Sequence, residues 1–124
     1  MQIIAKDFNI KYTIESGQPL TFFANYSFSG SKALIKYPLY EGFISIEAEQ
    51  IGKDCKINAY SENYSNLELE LEIKEMLGLN DGIKNIYKSI STDPFMYSAI
   101  ESFYGMRVTK NDIWQTTLSF LVRQ

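Results

Sequence analysis

Between Leu20 and Tyr60 the chain offers four strand-like runs separated by short turns, and that spacing restricts the fold more than any other feature. Leu20 to Phe28 (LTFFANYSF) is apolar and aromatic, and Ser29-Gly30-Ser31 turns the chain into Lys32 to Tyr37 (KALIKY). Pro38 marks a strand end or an edge. Gly42 to Glu49 (GFISIEAE) sets Ile44, Ile46 and Ala48 against Phe43, Ser45, Glu47 and Glu49, the two-residue period of a half-buried strand. A turn over Ile51-Gly52-Lys53-Asp54 leads to Cys55 to Tyr60 (CKINAY). Strands this close cannot accommodate crossover helices, so the expectation is an antiparallel meander. One face of such a sheet needs a cover, and helices from the second half of the chain are available for it.

That second half reads as helix. Ile83, Ile86, Tyr87 and Ile90 form one stripe. Thr92-Asp93-Pro94 is a cap followed by a first-turn proline, and Phe95, Ala99, Ile100 and Phe103 run on to a Gly105 stop. Leu67 to Ile73 (LELELEI) alternates as a strand does, but Leu and Glu are strong helix formers and Gly78 suits a helix C-cap. It is read as helix, with Glu68, Glu70, Glu72 and Glu75 as a solvated face and not as acid–base or metal chemistry. From Asn111 or Asp112 as N-cap, Ile113, Trp114, Thr117, Leu118, Leu121 and Val122 share another helical face. Nothing after Val122 signals a stop, so the chain is expected to be cut within a helix and its function divided with a missing part. The boundaries expected are an α+β unit over 1–79 and the start of a helical unit over 80–124.

Composition narrows the chemistry. With 45% apolar and 15% aromatic residues in 124, the chain has enough material for one core, and nine Tyr with eight Phe favour a sheet. The net charge of −3 argues against this piece being a principal phosphate-binding surface by itself. Histidine is absent and Cys55 is the only cysteine, which removes a zinc site, a histidine-based triad and an internal disulfide. No metal and no cofactor is expected. Cys55 reads as a small apolar side chain near a strand. An intracellular setting fits the cysteine usage, and the sequence offers neither a signal peptide nor a membrane span.

Two stretches are more specific. Ser16-Gly17-Gln18-Pro19-Leu20-Thr21-Phe22 is at minimum a turn between an N-terminal segment and the first long strand. Tyr104-Gly105-Met106-Arg107-Val108, then Asp112-Ile113-Trp114 and Leu118-Ser119-Phe120-Leu121-Val122-Arg123-Gln124, are at minimum two packed helices and a connector. In this order they resemble the N-terminal part of the 8-oxoguanine DNA glycosylases, of the superfamily that includes the bacterial 3-methyladenine glycosylases. Phe22 stands where that family commonly has Trp, and Met76-Leu77-Gly78-Leu79-Asn80 matches a family helix end loosely. The likeness is weak over residues 24–66 and good at both ends.

The resemblance implies an antiparallel α+β domain similar to half of the TATA-binding-protein fold, leading into a helical domain. It also implies that the intact protein flips a damaged purine out of double-stranded DNA. A helix-hairpin-helix with a lysine nucleophile and an aspartate would lie beyond Gln124, as would an asparagine run, so no catalytic residue is expected in this chain. Schiff-base chemistry at that lysine would allow strand cleavage. Gly17 matches the glycine whose carbonyl accepts a hydrogen bond from N7–H of 8-oxoguanine. Unmodified guanine carries an acceptor at N7, so a fixed carbonyl there separates the two bases. Gln18 is expected to position the loop, and Arg123 and Gln124 to lie near DNA. An exposed Leu121/Val122 face would let the fragment self-associate. The alternative left open is a non-enzymatic module in which the aromatic sheet and a covering helix enclose an apolar pocket for a small ligand.

Overall fold

A computed structural model describes residues 1–18, 24–39, 42–110, 117–118 and 120–122. Five strands, β1 (Gln2–Ala5), β2 (Asn25–Ser29), β3 (Lys32–Leu39), β4 (Gly42–Ile51) and β5 (Asp54–Tyr60), form one antiparallel sheet in the order β1-β5-β4-β3-β2. The meander expected from the turn spacing is therefore β2 to β5. Residues 20–23 of the first expected strand lie outside the described residues. The sequence reading did not anticipate β1, which pairs Ile3 with Ile57 and Ala5 with Cys55 along the free side of β5.

One row of the sheet shows why the alternation matters. Ala33 faces Ala48, and Ala48 faces Ile57, so small and branched side chains stack across three strands on one face. That face is buried together with Ile35, Tyr37, Ile44, Ile46, Cys55 and Ala59. Leu34, Phe43 and Tyr60 point the other way and remain more than half exposed, at 58%, 52% and 66%.

The cover comes from two helices. α1 (Ile10–Ile14) was not read from the sequence; Asn9 caps it, its side-chain oxygen accepting from the Tyr12 amide at 2.9 Å. Ile10 and Ile14, four residues apart, both enter the core. α2 (Asn66–Met76) settles the LELELEI stretch as helix. Ser65 caps it, and Leu69, Ile73 and Met76 are buried at helical spacing, while Leu67 and Leu71 are 67% and 61% exposed. Burial of each such side chain is worth about 1.5–3 kcal/mol. The exposed Glu70–Lys74 ion pair at 3.0 Å adds only about 0.3–0.5 kcal/mol. Packing, not the charged face, holds this helix.

α3 (Ile83–Ile90) and α4 (Pro94–Ser102) begin where the sequence signals them, α4 with Asp93 accepting from the Met96 amide at 2.9 Å. Neither buries a residue among those described, so the apolar stripe read over Ile83 to Ile90 does not enter the core. Ile86, Ile90 and Phe95 are exposed at 42%, 39% and 87%. Residues 111–116, 119, 123 and 124 of the last expected helix are outside the described residues, and 117, 118 and 120–122 are helical. Among the described residues, no helix is long and apolar enough to cross a membrane.

Candidate functional site

The two motif stretches meet. After α4 the chain returns as a strap over 104–110, running between the start of α1 and the end of α2. The Asn9 amide donates to the Gly105 carbonyl at 2.9 Å, and the Lys110 amide donates to the Met76 carbonyl at 2.8 Å. Each residue of Tyr104-Gly105-Met106-Arg107 that carries the motif has a distinct task in that docking.

Tyr104 donates its hydroxyl to Asp7 Oδ1 at 2.9 Å, and Lys53 lies over its ring at 4.9 Å. Burial, and then the hydrogen bond to Asp7, holds the Tyr104 phenol above its ordinary pKa. Gly105 is buried with φ +89°, and its amide donates to the Tyr87 hydroxyl at 2.9 Å. A Cβ there would sit 2.7 Å from the Asn9 nitrogen, so both the backbone angle and the close approach require glycine. The glycine is not the helix stop expected of it, because α4 already ends at the Phe103 cap.

Among the described residues Arg107 is the deepest charge, 4% exposed. Its Nη1 donates to the carbonyls of Gly78 and Asp81 at 3.0 and 3.2 Å, and its Nη2 to those of Lys6 and Asp7 at 3.1 and 3.2 Å. Burial lowers its pKa, opposed by nearby Tyr87, Asp81 and Asp7; a guanidinium nevertheless remains protonated. Four main-chain oxygens from two separate segments are thus gathered on one planar fork, which a lysine ammonium does not reproduce. Nε has no partner among the described residues.

The same strap holds the Ser16-Gly17-Gln18 loop. The Gln18 amide nitrogen donates to Ser16 Oγ at 2.8 Å and to the Arg107 carbonyl at 2.7 Å. Its oxygen accepts from the Thr109 amide at 2.7 Å and from Thr109 Oγ1 at 3.2 Å. A main-chain carbonyl can only accept and a main-chain N–H can only donate, so these two partners fix which end of the side-chain amide is which. Ser16 in turn donates to the Thr13 carbonyl at 2.7 Å, and Thr13 Oγ1 accepts from the Arg107 amide at 3.1 Å. Gly17, between two anchored residues, has φ +81° and nothing within 4 Å of a Cβ built on it. Among the described residues it is the backbone angle, not lack of room, that calls for glycine here.

Of the site residues expected from the sequence, Gly17 and Gln18 are thus described together, while Arg123 and Gln124 lie outside the described residues. Thr13, Arg107 and Thr109 were not among them. Arg107 belongs to the Tyr104–Arg107 stretch without standing out there as a site residue, and no local pattern marks Thr13 or Thr109: Thr13 meets Arg107 across 94 positions, and Gln18 meets Arg107 and Thr109 across 89 and 91. Among the described residues, no group of three His, Cys, Asp or Glu side chains is arranged to hold a metal.

The sequence of residues 1–117 matches the family model for the 8-oxoguanine DNA glycosylase N-terminal domain. The chain belongs to that family. Its fold is similar to that of MBOgg1, solved in complex with a low-affinity DNA ligand, with a TM-score of 0.74 and 27% identity over 99% of this chain. It is also similar in fold to an 8-oxoguanine glycosylase/lyase of Clostridium acetobutylicum in its apo-form, with a TM-score of 0.72 and 21% identity over 98% of this chain. The chain spans 40% of the length of each of those two proteins. Comparison with curated protein sequences found no match. The glycosylase N-terminal fold accounts for the α+β architecture, with the five-stranded antiparallel sheet backed by helices.

The sheet's other face carries a depression of about 790 Å³ lined by outward residues that include Leu34, Lys36, Glu47, Asn58 and Tyr60. It opens away from the core, and its aromatics are Tyr26 and Tyr60. This differs from the aromatic pocket between sheet and helix that a small-ligand module would use.

Proposed function

We propose that the chain is the lesion-reading N-terminal domain of a base-excision-repair enzyme that flips 8-oxoguanine out of duplex DNA and removes it. The observation that carries this reading is the family match over residues 1–117. The Gly17 loop, pinned on both sides by Ser16 and Gln18, supports it. In this reading the Gly17 carbonyl accepts the N7–H of the oxidised base, and guanine, with its own acceptor at N7, is refused. Arg123 and Gln124 lie near the DNA backbone or the lesion.

The chemistry belongs to residues outside this chain. DNA binding by the whole protein is supported by the likeness to MBOgg1, solved with a DNA ligand, and Schiff-base chemistry at a lysine outside this chain would allow strand cleavage. Residues 1–79 are the α+β unit and 80–124 open a helical unit. The apolar residues left exposed on α3, α4 and at Leu118, Phe120, Leu121 and Val122 support this division, because a lone domain rarely leaves so much apolar surface open. The isolated chain is expected to self-associate through the last four, with an apparent mass that rises with concentration in sedimentation.

The test compares the whole protein with the 124-residue chain on duplexes carrying 8-oxoguanine or an alkylated adenine. Release of 8-oxoguanine by the whole protein and none by the chain is expected. Base release by the chain alone would refute the division of labour. A whole protein that excises alkylated adenine and ignores 8-oxoguanine would refute the role of Gly17.

A further inference from the structure

We infer that Gln18 is a positioning residue that sets lesion discrimination, by locking the Gly17 carbonyl to the 104–110 strap. The inference rests on the proposed role of Gly17 and adds the device that aims it. A carbonyl discriminates N7–H from a bare N7 only while its direction is held, since a rotating peptide also presents its N–H to the guanine acceptor. Gly17 lacks any side chain to resist that rotation, and its φ of +81° lies where glycine alone is relaxed. Its neighbours on both sides add a restraint.

Both neighbours supply it. Ser16 is tied back to α1 through its bond to the Thr13 carbonyl at 2.7 Å. Gln18 is tied forward by contacts of 2.7 Å to the Arg107 carbonyl and 2.7 Å from the Thr109 amide. The two ends are then joined, because the Gln18 amide nitrogen also reaches Ser16 Oγ at 2.8 Å, bridging over Gly17. The glycine peptide is spanned by a closed ring of hydrogen bonds whose far side is the strap. The strap cannot drift, because the Arg107 guanidinium fastens it to four carbonyls of the core. In this arrangement Gln18 acts through the orientation of its neighbour.

The amide is specific for this work. Glutamate keeps the size and an acceptor for Thr109 but loses the donor to Arg107 and to Ser16, and places a charge against two oxygens. Alanine removes both halves.

The test measures, in the whole protein, binding to otherwise identical duplexes with 8-oxoguanine or guanine, together with single-turnover base release. Gln18→Ala and Gln18→Glu are compared with wild type, and amide hydrogen exchange over residues 16–18 and over α2 is followed in each. The expected result is a loss of the 8-oxoguanine-to-guanine preference of about tenfold or more, the equivalent of one to two hydrogen bonds. Exchange at residues 16–18 is expected to rise while exchange in α2 is unchanged, which separates a loose loop from a damaged fold. Preference retained within about twofold of wild type, or residues 16–18 as protected as before, would overturn the inference. If wild type itself shows no preference for 8-oxoguanine, the reading of Gly17 fails, and this inference falls with it. That outcome is visible in wild type alone and so is distinct from a failure of Gln18.

Discussion

Gln18 and Arg107 meet at 2.7 Å across 89 positions of sequence, side-chain amide to main-chain carbonyl. The contact joins the two motif stretches into one construction, in which residues 16–18 take their shape from the strap and the strap takes its place from a buried guanidinium.

Removing that guanidinium is therefore expected to act on the whole domain. Arg107→Met keeps much of the volume but leaves the carbonyls of Lys6, Asp7, Gly78 and Asp81 without their donor. Leaving buried acceptors unsatisfied costs about 1–3 kcal/mol each at most, and a combined loss of about 3–5 kcal/mol is expected. Arg107→Lys, with one compact head, should recover only part of it. Urea unfolding of both variants measures this, and a loss under about 1 kcal/mol for the methionine variant would show that the carbonyl cage is not what holds the strap.

Gly105→Ala combines two penalties. The residue adopts φ +89°, and the new Cβ would lie 2.7 Å from the Asn9 nitrogen and 3.1 Å from the Phe8 carbonyl carbon. Backbone strain and overpacking together give an expected loss of about 2–4 kcal/mol, read as a lower Tm. Gly17→Ala, strained but unobstructed, should lose less, about 1–2 kcal/mol. If the two substitutions shift Tm equally, the close approach at Gly105 has no energetic weight.

Asp54 and Tyr104 each contribute to the pH profile of stability. The Asp7 amide, and then the Lys6 ammonium, hold the Asp54 carboxylate below its ordinary pKa of 3.8. A depressed folded pKa means stability present above the ordinary value and lost as pH falls through the folded one. Tyr104 is raised above its ordinary 10.0, so its contribution is full below that value and lost as pH rises through the folded pKa. Chemical denaturation from pH 2 to 11 is expected to show both limbs. Asp54→Asn should flatten the acid limb and Tyr104→Phe part of the alkaline one, to which the buried Cys55 thiol also contributes; limbs unchanged in these variants would assign them elsewhere.

Cys55 is fully buried in β5, and burial pushes its thiol up to about 12. The thiolate is the reactive form, so a thiol reagent at pH 8 should label the native chain only as fast as it opens. Labelling that is as rapid in buffer as in denaturant would place Cys55 at the surface.

Much of the fold was legible in short-range pattern. The alternation over Gly42 to Glu49 fell on β4, and the Asp93-Pro94 signal fell on a real cap. LELELEI carried a strand's period, yet only one of its leucines is buried, so propensity and the Leu69–Ile73–Met76 spacing outweighed alternation. β1 and α1 were missed because four and five residues are too few to show a period, and tertiary pairing with β5 and the core creates them. The stripes of α3 and α4 were legible as helix but not as exposed, since amphipathicity says that a face wants cover without saying what covers it.

The candidate site was legible in a different way. Ser16-Gly17-Gln18 stands out through a family likeness, whereas nothing in its composition requires more than a turn. The strap partners of Gln18 are 89 and 91 positions away, and no local rule pairs a glutamine with a carbonyl and an amide at that distance. Gly105 was visible as a glycine, but as a stop and not as a point of contact with Asn9.

The long reach of the Gln18 bonds also sets an order of events during synthesis. The sheet has all its strands once Tyr60 has left the ribosome, and β1 has its partner by then. Residues 16–18 are among the first made, yet the carbonyl and amide that shape them belong to Arg107 and Thr109. Contacts of such sequence separation form late. In a nascent chain every strand of the sheet is therefore available before the strap that orders Gly17, and the residues translated first wait longest for the partners that shape them.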